Sequence, residues 1–359
     1  MNYKVRESLG NLVENTSKNM RFRIRRNYLR SDIDKFDYER KELSKEQKKS
    51  IDGFWKPYTK NICYKWHEFF YSITGVFDPR FIPEDLMFTE IEGYLNDWSS
   101  AHGLDNKNNY QYYFPEIKHP KVAFRRMSGI YHLGDYSICS LNEAIESAVL
   151  FGEVIIKNAL EAGKGASIRL WKTEDGIDKL KEIINSSNSD IIAQEFIKQH
   201  SDMEAFNPSS VNSIRIVTLV LNNKVNFLCA YLRVGQAGVR IDNVCAGGMC
   251  SAVSEDGYLC GYAYDKHAKK VYASPTGKVF RDFRIPAWDK VLSTCKSMHN
   301  KLGNFRLVSW DIAIDPEEQP VFIEMNLKYG AMEYHQLFKG PLFGEYTEQI
   351  LNEVYNKNQ

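Results

Sequence analysis

Near its C-terminal end the chain carries two alternating apolar runs around an acidic turn. They read Val308-Ser309-Trp310-Asp311-Ile312-Ala313-Ile314, then Asp315-Pro316-Glu317-Glu318-Gln319-Pro320, then Val321-Phe322-Ile323-Glu324-Met325-Asn326. Period-two alternation around a proline-bounded turn predicts a β-hairpin. With Pro316–Gln319 as a four-residue loop, Trp310, Ile312 and Ile314 face Met325, Ile323 and Val321, giving one wholly apolar face. The other face pairs Asp311 with Glu324 and Ser309 with Asn326. Opposed residues hold their Cβ atoms roughly 4.5–5.5 Å apart, where like charges destabilise a sheet. Two carboxylates fixed there call for a shared proton or a bridging cation. With the amide oxygen of Asn326 two residues on, the cluster is all oxygen, which suits Mg²⁺. The plainer alternative is a one-sided sheet whose acids face water. A slip of one residue would drive both acids into the apolar face, so the register favours itself.

Composition narrows the field. The 359 residues suggest two or three domains with cores of their own. Lys and Arg number 47 against 46 Asp and Glu, so no global field selects nucleic acid. No run of about 18 apolar residues offers a spanning helix, and residues 1–30 lack the apolar core of a signal peptide. Seven cysteines without a C-x-x-C pair argue against a disulfide framework or structural zinc, so a cytoplasmic location is expected. Charge is uneven all the same: residues 1–30 hold eight basic and two acidic residues. That arm is either a solvated helix or a dock for anionic lipid or an acidic partner, with the cytoplasmic membrane face or a glycosyltransferase as the contact. Residues 1–100 read as a mainly helical, basic region, 101–190 as a first α+β segment, and 191–359 as a second.

From residue 120 strands and helices alternate. Ser140 with Glu143 makes a capping box that opens a helix through Phe151. Strand-like runs follow at Glu153–Lys157, Ala166–Trp171, Ile191–Ile197, Ser213–Leu221 and Val225–Val234, the last two joined by an Asn222-Asn223 turn. Pro286 begins a helix whose apolar positions follow helical spacing to Gly303, and a final amphipathic helix uses Tyr346, Ile350, Leu351 and Val354. Lys157 ends an apolar strand. The loop Gly163-Lys164-Gly165-Ala166-Ser167 lies between two strands, where backbone N–H groups can close over phosphates or simply make a hairpin turn. It is not a Walker A loop. Arg215 and Arg233 sit on strands, and a guanidinium fork suits phosphate or carboxylate oxygens as well as surface ion pairs. Asp242-Asn243 with Ala246-Gly247-Gly248 adds a polar, flexible loop.

In this order the pieces resemble the ATP-grasp superfamily, and more closely its branch described as sugar-transfer-associated ATP-grasp. The resemblance covers about residues 50–345. It is carried by Trp55-Lys56-Pro57-Tyr58, by Thr74-Gly75 with Phe81-Ile82-Pro83, and by Asp105-Asn106-Lys107. The Lys157 strand with its glycine loop and the stretch from Gln194 through Asn207-Pro208-Ser209-Ser210-Val211-Asn212-Ser213-Ile214-Arg215 carry it further. Arg233–Gly248 and the Asp311/Glu324/Asn326 hairpin complete it.

The resemblance implies an α+β, ATP-grasp fold, two α+β subdomains gripping ATP, preceded here by the helical region. It implies Lys107 and Lys157 as nucleotide-contacting lysines, Gly163, Lys164, Gly165, Ala166 and Ser167 as a phosphate flap, and Gln194, Glu195, Phe196 and Ile197 as an adenine hinge. Arg215 and Arg233 would contact anions and stabilise an oxyanion, and Asp311, Glu324 and Asn326 would hold two Mg²⁺. The acid that often follows the hinge has no clear counterpart, since Ser201 and Asp202 follow His200. Arg125, Arg126, Lys328 and His335 stand as acceptor-pocket candidates or as structural residues. The implied reaction is ATP-dependent amide formation through an acyl phosphate, joining a small-molecule carboxylate and amine, sugar-linked, in surface-polysaccharide synthesis. A kinase acting on a sugar hydroxyl and a non-catalytic nucleotide-binding partner of a glycosyltransferase are the competing readings.

Overall fold

The computed structural model describes residues 20–31, 33–60, 62–160, 168–240, 242, 244, 247–330 and 333–356. They fall into two compact units, one of residues 1–95 with 331–359 and one of 96–330. The first is helical. Helices at 20–31, Lys45–Trp55 and Tyr64–Thr74 precede a run from Glu84 to Leu95 that widens to a π-turn over Met87–Ile91. Ser44 and Gln47 cap the second helix reciprocally. Ile51, Trp55, Trp66, Phe69, Phe70 and Phe81 are buried in this unit. Its closing helices are Glu333–Lys339 and Thr347–Tyr355.

The second unit is built on two antiparallel sheets. The first contains Val122–Met127 (β1), Ile130–Leu133 (β2), Ile138–Cys139 (β3), Glu153–Asn158 (β4), Arg169–Lys172 (β5) and Ile191–Gln194 (β6), in the order β3-β2-β1-β6-β4-β5. The expected capping box is present: Ser140 Oγ accepts from Glu143 N at 3.2 Å while Glu143 accepts from Ser140 N at 2.7 Å. The helix it opens, Leu141–Phe151, and a second at Ile177–Ser186 pack Ala144, Ile145, Leu180 and Ile184 onto Phe124, Val154, Ile156 and Trp171.

The second sheet contains Ile214–Leu221 (β7), Lys224–Val234 (β8), Met249–Val253 (β9), Ala263–Asp265 (β10), Lys270–Val271 (β11), Leu307–Ile314 (β12) and Pro320–Asn326 (β13), in the order β11-β10-β9-β8-β7-β12-β13. Asn222 and Asn223 both take left-handed φ, +53° and +59°, which is the two-residue turn their sequence favours. Because side chains alternate, Ile214, Ile216, Leu232, Val234, Trp310 and Ile312 face one way, where helix Trp288–His299 covers them with Trp288, Val291, Cys295 and Met298. Arg215, Arg233 and Asp311 therefore face the other way.

The acidic hairpin pairs Ser309 with Asn326, Trp310 with Met325 and Asp311 with Glu324, as the alternation requires. Beyond that point the expected register is corrected. A bulge between Asp311 and Ile312 sets Ile312 opposite Phe322 and Ile314 opposite Pro320, so the extra residue, Ile323, is taken up by β13. The loop is consequently five residues, 315–319. Asp315 closes it by accepting from Glu317 N at 3.0 Å and Gln319 N at 2.7 Å. The far end of the hairpin is tied by Asn96, whose amide donates to Leu307 O and Leu327 O and accepts from Arg306 N and Leu307 N, all within 3.0 Å. β6 also ends earlier than expected, at Gln194 rather than Ile197.

Candidate active site

The cluster begins with β12 and β7, which set Asp311 directly opposite Arg215. Arg215 meets Asp311 in a fork, Nε to Oδ1 and Nη2 to Oδ2, each at 2.7 Å. Arg233 on β8 adds Nη2 to Asp311 Oδ2 at 2.9 Å. Its own orientation is set by Ser213, whose Oγ accepts from Arg233 Nε and Nη2 at 3.0 and 2.7 Å while donating to Asp242. Charge-assisted forks of this kind hold a fully buried carboxylate where an isolated one could not stay ionised.

Glu324, across the hairpin, has a different environment. Its side chain is 21% exposed, and Lys107 Nζ lies 3.1 Å from its Oε2. Burial alone would raise its pKa, but Lys107 and the two arginines outweigh it and hold Glu324 well below the usual carboxylate range. Lys107 is placed by a short turn, Lys107–Asn109, and by its own backbone N–H, which donates to Ala159 O at 2.8 Å. Lys157, at the end of β4, is the odd member. Burial pushes its amine down, with Glu324 opposing and Lys107 adding to the shift, and it forms no direct ion pair among the described residues.

Four cations thus face three carboxylates, Asp242, Asp311 and Glu324, in a largely buried site. That excess of positive charge fits an anionic ligand. Donors for a divalent cation are also present. Glu324 and Asn326 lie on one face of β13, and the buried Asn326 Nδ2 and the facing Ser309 Oγ have no hydrogen-bond partner among the described residues. The Glu324 carboxylate and the Asn326 amide oxygen are the donor types that Mg²⁺ takes. Asp311 fits less well, because both its oxygens already accept guanidinium N–H groups. Among the described residues no group of three His, Cys, Asp or Glu is arranged to hold a metal.

The remaining sequence candidates divide. Gln194 is buried at the end of β6, and Glu195 leaves the sheet with its N–H donating to Lys121 O at 2.9 Å and its carboxylate accepting from Lys121 N at 2.8 Å. Phe196 lies under the Arg240 guanidinium, 4.7 Å from its ring centre, and Ile197 follows in the same extended segment. The flap residues Gly163–Ser167 lie outside the described residues, as does Asn243. Arg125 is structural: it donates to Leu133 O and Gly134 O and stacks on Tyr136 at 4.0 Å. Arg126 is too, donating to Ile184 O, Ser187 O and Ser189 O at the end of a helix. Lys328 stands 6.0 Å over Trp98, and His335 belongs to the helical unit, where burial drives its pKa down to about 3. Sequence reasoning did not find Ser213 as the residue that aims Arg233. The nearest signal was its place in the polar stretch Asn212-Ser213 beside Asp242.

Sheet order, hairpin and cation cluster together define a protein of the ATP-grasp fold. Residues 164–350 match the family described as sugar-transfer associated ATP-grasp, more than half of the chain, and the chain belongs to that family. No curated protein matches it by sequence. Solved structures similar to it include a D-alanyl-alanine synthetase A from Vibrio cholerae, at 12% identity and TM-score 0.43, covering 72% of this chain and 66% of that one. An L-amino acid ligase from Bacillus licheniformis is similar at 11% identity and TM-score 0.40, covering 70% and 47%. A biotin carboxylase domain of Hydrogenobacter thermophilus 2-oxoglutarate carboxylase, solved with MgADP and bicarbonate, is similar at 14% identity and TM-score 0.42, covering 72% and 47%. The chain spans between about half and two thirds of the length of these proteins.

Proposed function

We propose that this protein is an ATP- and Mg²⁺-dependent carboxylate–amine ligase that works through an acyl phosphate. The observation that carries the reading is the cation excess around Glu324, with Lys157 half-buried and in no ion pair among the described residues. A desolvated lysine set beside a second lysine, with no carboxylate in direct contact among the described residues, is costly unless a ligand supplies negative charge. In this reading Lys107 and Lys157 orient the polyphosphate, and Gln194–Ile197 line the nucleobase. Glu324 and Asn326 would hold Mg²⁺, which supplies charge withdrawal from the phosphate oxygens. An acceptor carboxylate attacks the γ-phosphorus, the bond to the β-phosphate oxygen breaks, and ADP leaves. An amine then attacks the acyl carbon. Arg233, oriented by Ser213 and Asp311, stabilises the oxyanion until phosphate departs. The family description supports a sugar-linked acceptor or amine, a sugar acid or an amino sugar, used in surface-polysaccharide synthesis.

Product analysis tests this. The protein is incubated with ATP, Mg²⁺, pooled amino acids and pooled uronic acids or amino sugars. ADP, phosphate and a new amide mass that appears only with both partners is the expected result. ADP with a phosphorylated sugar and no free phosphate would overturn the ligase in favour of a kinase.

A further inference from the structure

The turn Lys107–Asn109 and the short helix Tyr110–Tyr113 hold on to both sheets of the second unit. Toward the first sheet, the Asn108 side chain donates to Arg126 O at 3.3 Å, and Asn108 O accepts from the Tyr136 hydroxyl at 2.8 Å. Lys107 N donates to Ala159 O, two residues beyond Lys157. Toward the second sheet, the contact is made by Tyr110, which is buried with its ring centre 5.0 Å from that of Phe322. Its hydroxyl donates to Asp105 Oδ1 at 2.9 Å and lies 3.4 Å from Met325 O. Met325 stands between Glu324 and Asn326 on β13, the outermost strand of its sheet. Burial, with Asp105 and Glu324 adding to it, raises the phenol well above its ordinary pKa, so it stays a donor.

We propose that Tyr110 is a positioning residue that sets Lys107 at its place beside Glu324. The role rests on the reading of Lys107 as a phosphate-contacting group and Glu324 as a Mg²⁺ donor. The turn meets β13 at two consecutive residues: Lys107 Nζ reaches Glu324 Oε2 at 3.1 Å, and the Tyr110 hydroxyl reaches the carbonyl of Met325. Once the lysine and the carboxylate turn to ligand, their ion pair opens. The phenol contact carries no charge and is buried, so it does not compete with ligand and keeps turn and strand in register. Holding a binding group in place beforehand removes part of the ordering cost of binding. Packing alone does not account for the hydroxyl. A phenylalanine would fill the same place against Phe322, and a buried hydroxyl costs free energy unless it is hydrogen-bonded.

The test is the rise in melting temperature of the full chain with the Mg²⁺ complex of adenylyl imidodiphosphate over a range of concentrations, which registers weak as well as strong binding. It is run on wild type, Tyr110→Phe, Lys107→Met and the double variant. Tyr110→Phe is expected to weaken binding about five- to tenfold, with circular dichroism unchanged because the ring still packs on Phe322. In the Lys107→Met background the same change should weaken it less than about twofold, since no ammonium is left to position. An equal loss in both backgrounds overturns the proposal, because a purely structural hydroxyl acts in both alike. If Tyr110→Phe binds as wild type does, the proposal falls while the ligase reading stands. A wild-type protein that binds no nucleotide overturns the reading of the site, and the role of Tyr110 with it.

Discussion

Asp311 accepts from two arginines at distances of 2.7 to 2.9 Å, whereas Glu324, its neighbour across the hairpin, keeps one lysine and some exposure to water. The two acids therefore have separate work, the first positioning guanidinium groups and the second meeting ligand. Glu324→Gln should lower ATP turnover about 10²–10³-fold while circular dichroism and the urea midpoint stay close to wild type. Turnover near wild type would mean that ligand is held elsewhere. Arg215→Ala should destabilise the second unit by about 3 kcal/mol in urea unfolding, since it leaves a buried carboxylate short of a partner. Pairing it with Asp311→Ala should cost less than the two single changes added together. The facing of Asp311 and Glu324 is legible in the sequence because period-two alternation and a short turn leave few registers open. The destination of Arg215 is not, because its partner lies 96 residues away and no local rule connects them.

At the scale of elements, local chemistry was readable wherever an element carries its own signal. Ser140 and Glu143 name their helix start, and Asn222-Asn223 names its turn, because each motif satisfies its own backbone groups. Ser140→Ala should accordingly cost about 1 kcal/mol, read as a lowered melting temperature. Elements whose length depends on a neighbour were harder. β6 stops at Gln194 since its partners on either side, β1 and β4, end their pairing there. β9, β10 and β11 are five, three and two residues long and exist through successive pairing, β9 on β8, β10 on β9 and β11 on β10, so their sequence alone offered no strand signal. The bulge at Ile323 belongs to the same class. It lets Phe322 reach the core while Glu324 keeps its place opposite Asp311.

At the scale of the whole molecule, residues 331–359 join the N-terminal helices. Gln336 shows how: its side-chain amide accepts from Ile82 N at 2.8 Å and donates to Ile82 O at 2.9 Å. A contact across 254 residues has no counterpart in composition or periodicity. Both units also bury neutral histidines. His299 in the second unit accepts from Thr218 at Nδ1 and donates to Phe305 O through Nε2, while Trp310 donates to the same threonine. Burial lowers His299 and His67 to about 4 and His335 to about 3, from 6.5. The unfolded chain therefore binds protons first as pH falls. Stability present above pH 6.5 is lost as pH drops toward 4, by about 2 kcal/mol for each histidine near pH 5. Urea midpoints at neutral pH and at pH 5 check this. An unchanged midpoint would place these imidazoles in water.

The ligase reading rests most directly on an activated carboxylate, which can be caught without knowing the natural amine. Hydroxylamine attacks acyl phosphates and leaves a stable hydroxamate. The measurement is hydroxamate, ADP and phosphate formed from ATP, Mg²⁺, hydroxylamine and the pooled carboxylic acids, with wild-type protein and with Glu324→Gln. The expected result is hydroxamate and ADP in equal amounts, dependent on the carboxylate pool and lost in the variant. ADP formed together with a stable phosphoester, and no hydroxamate from any carboxylate, would contradict the account.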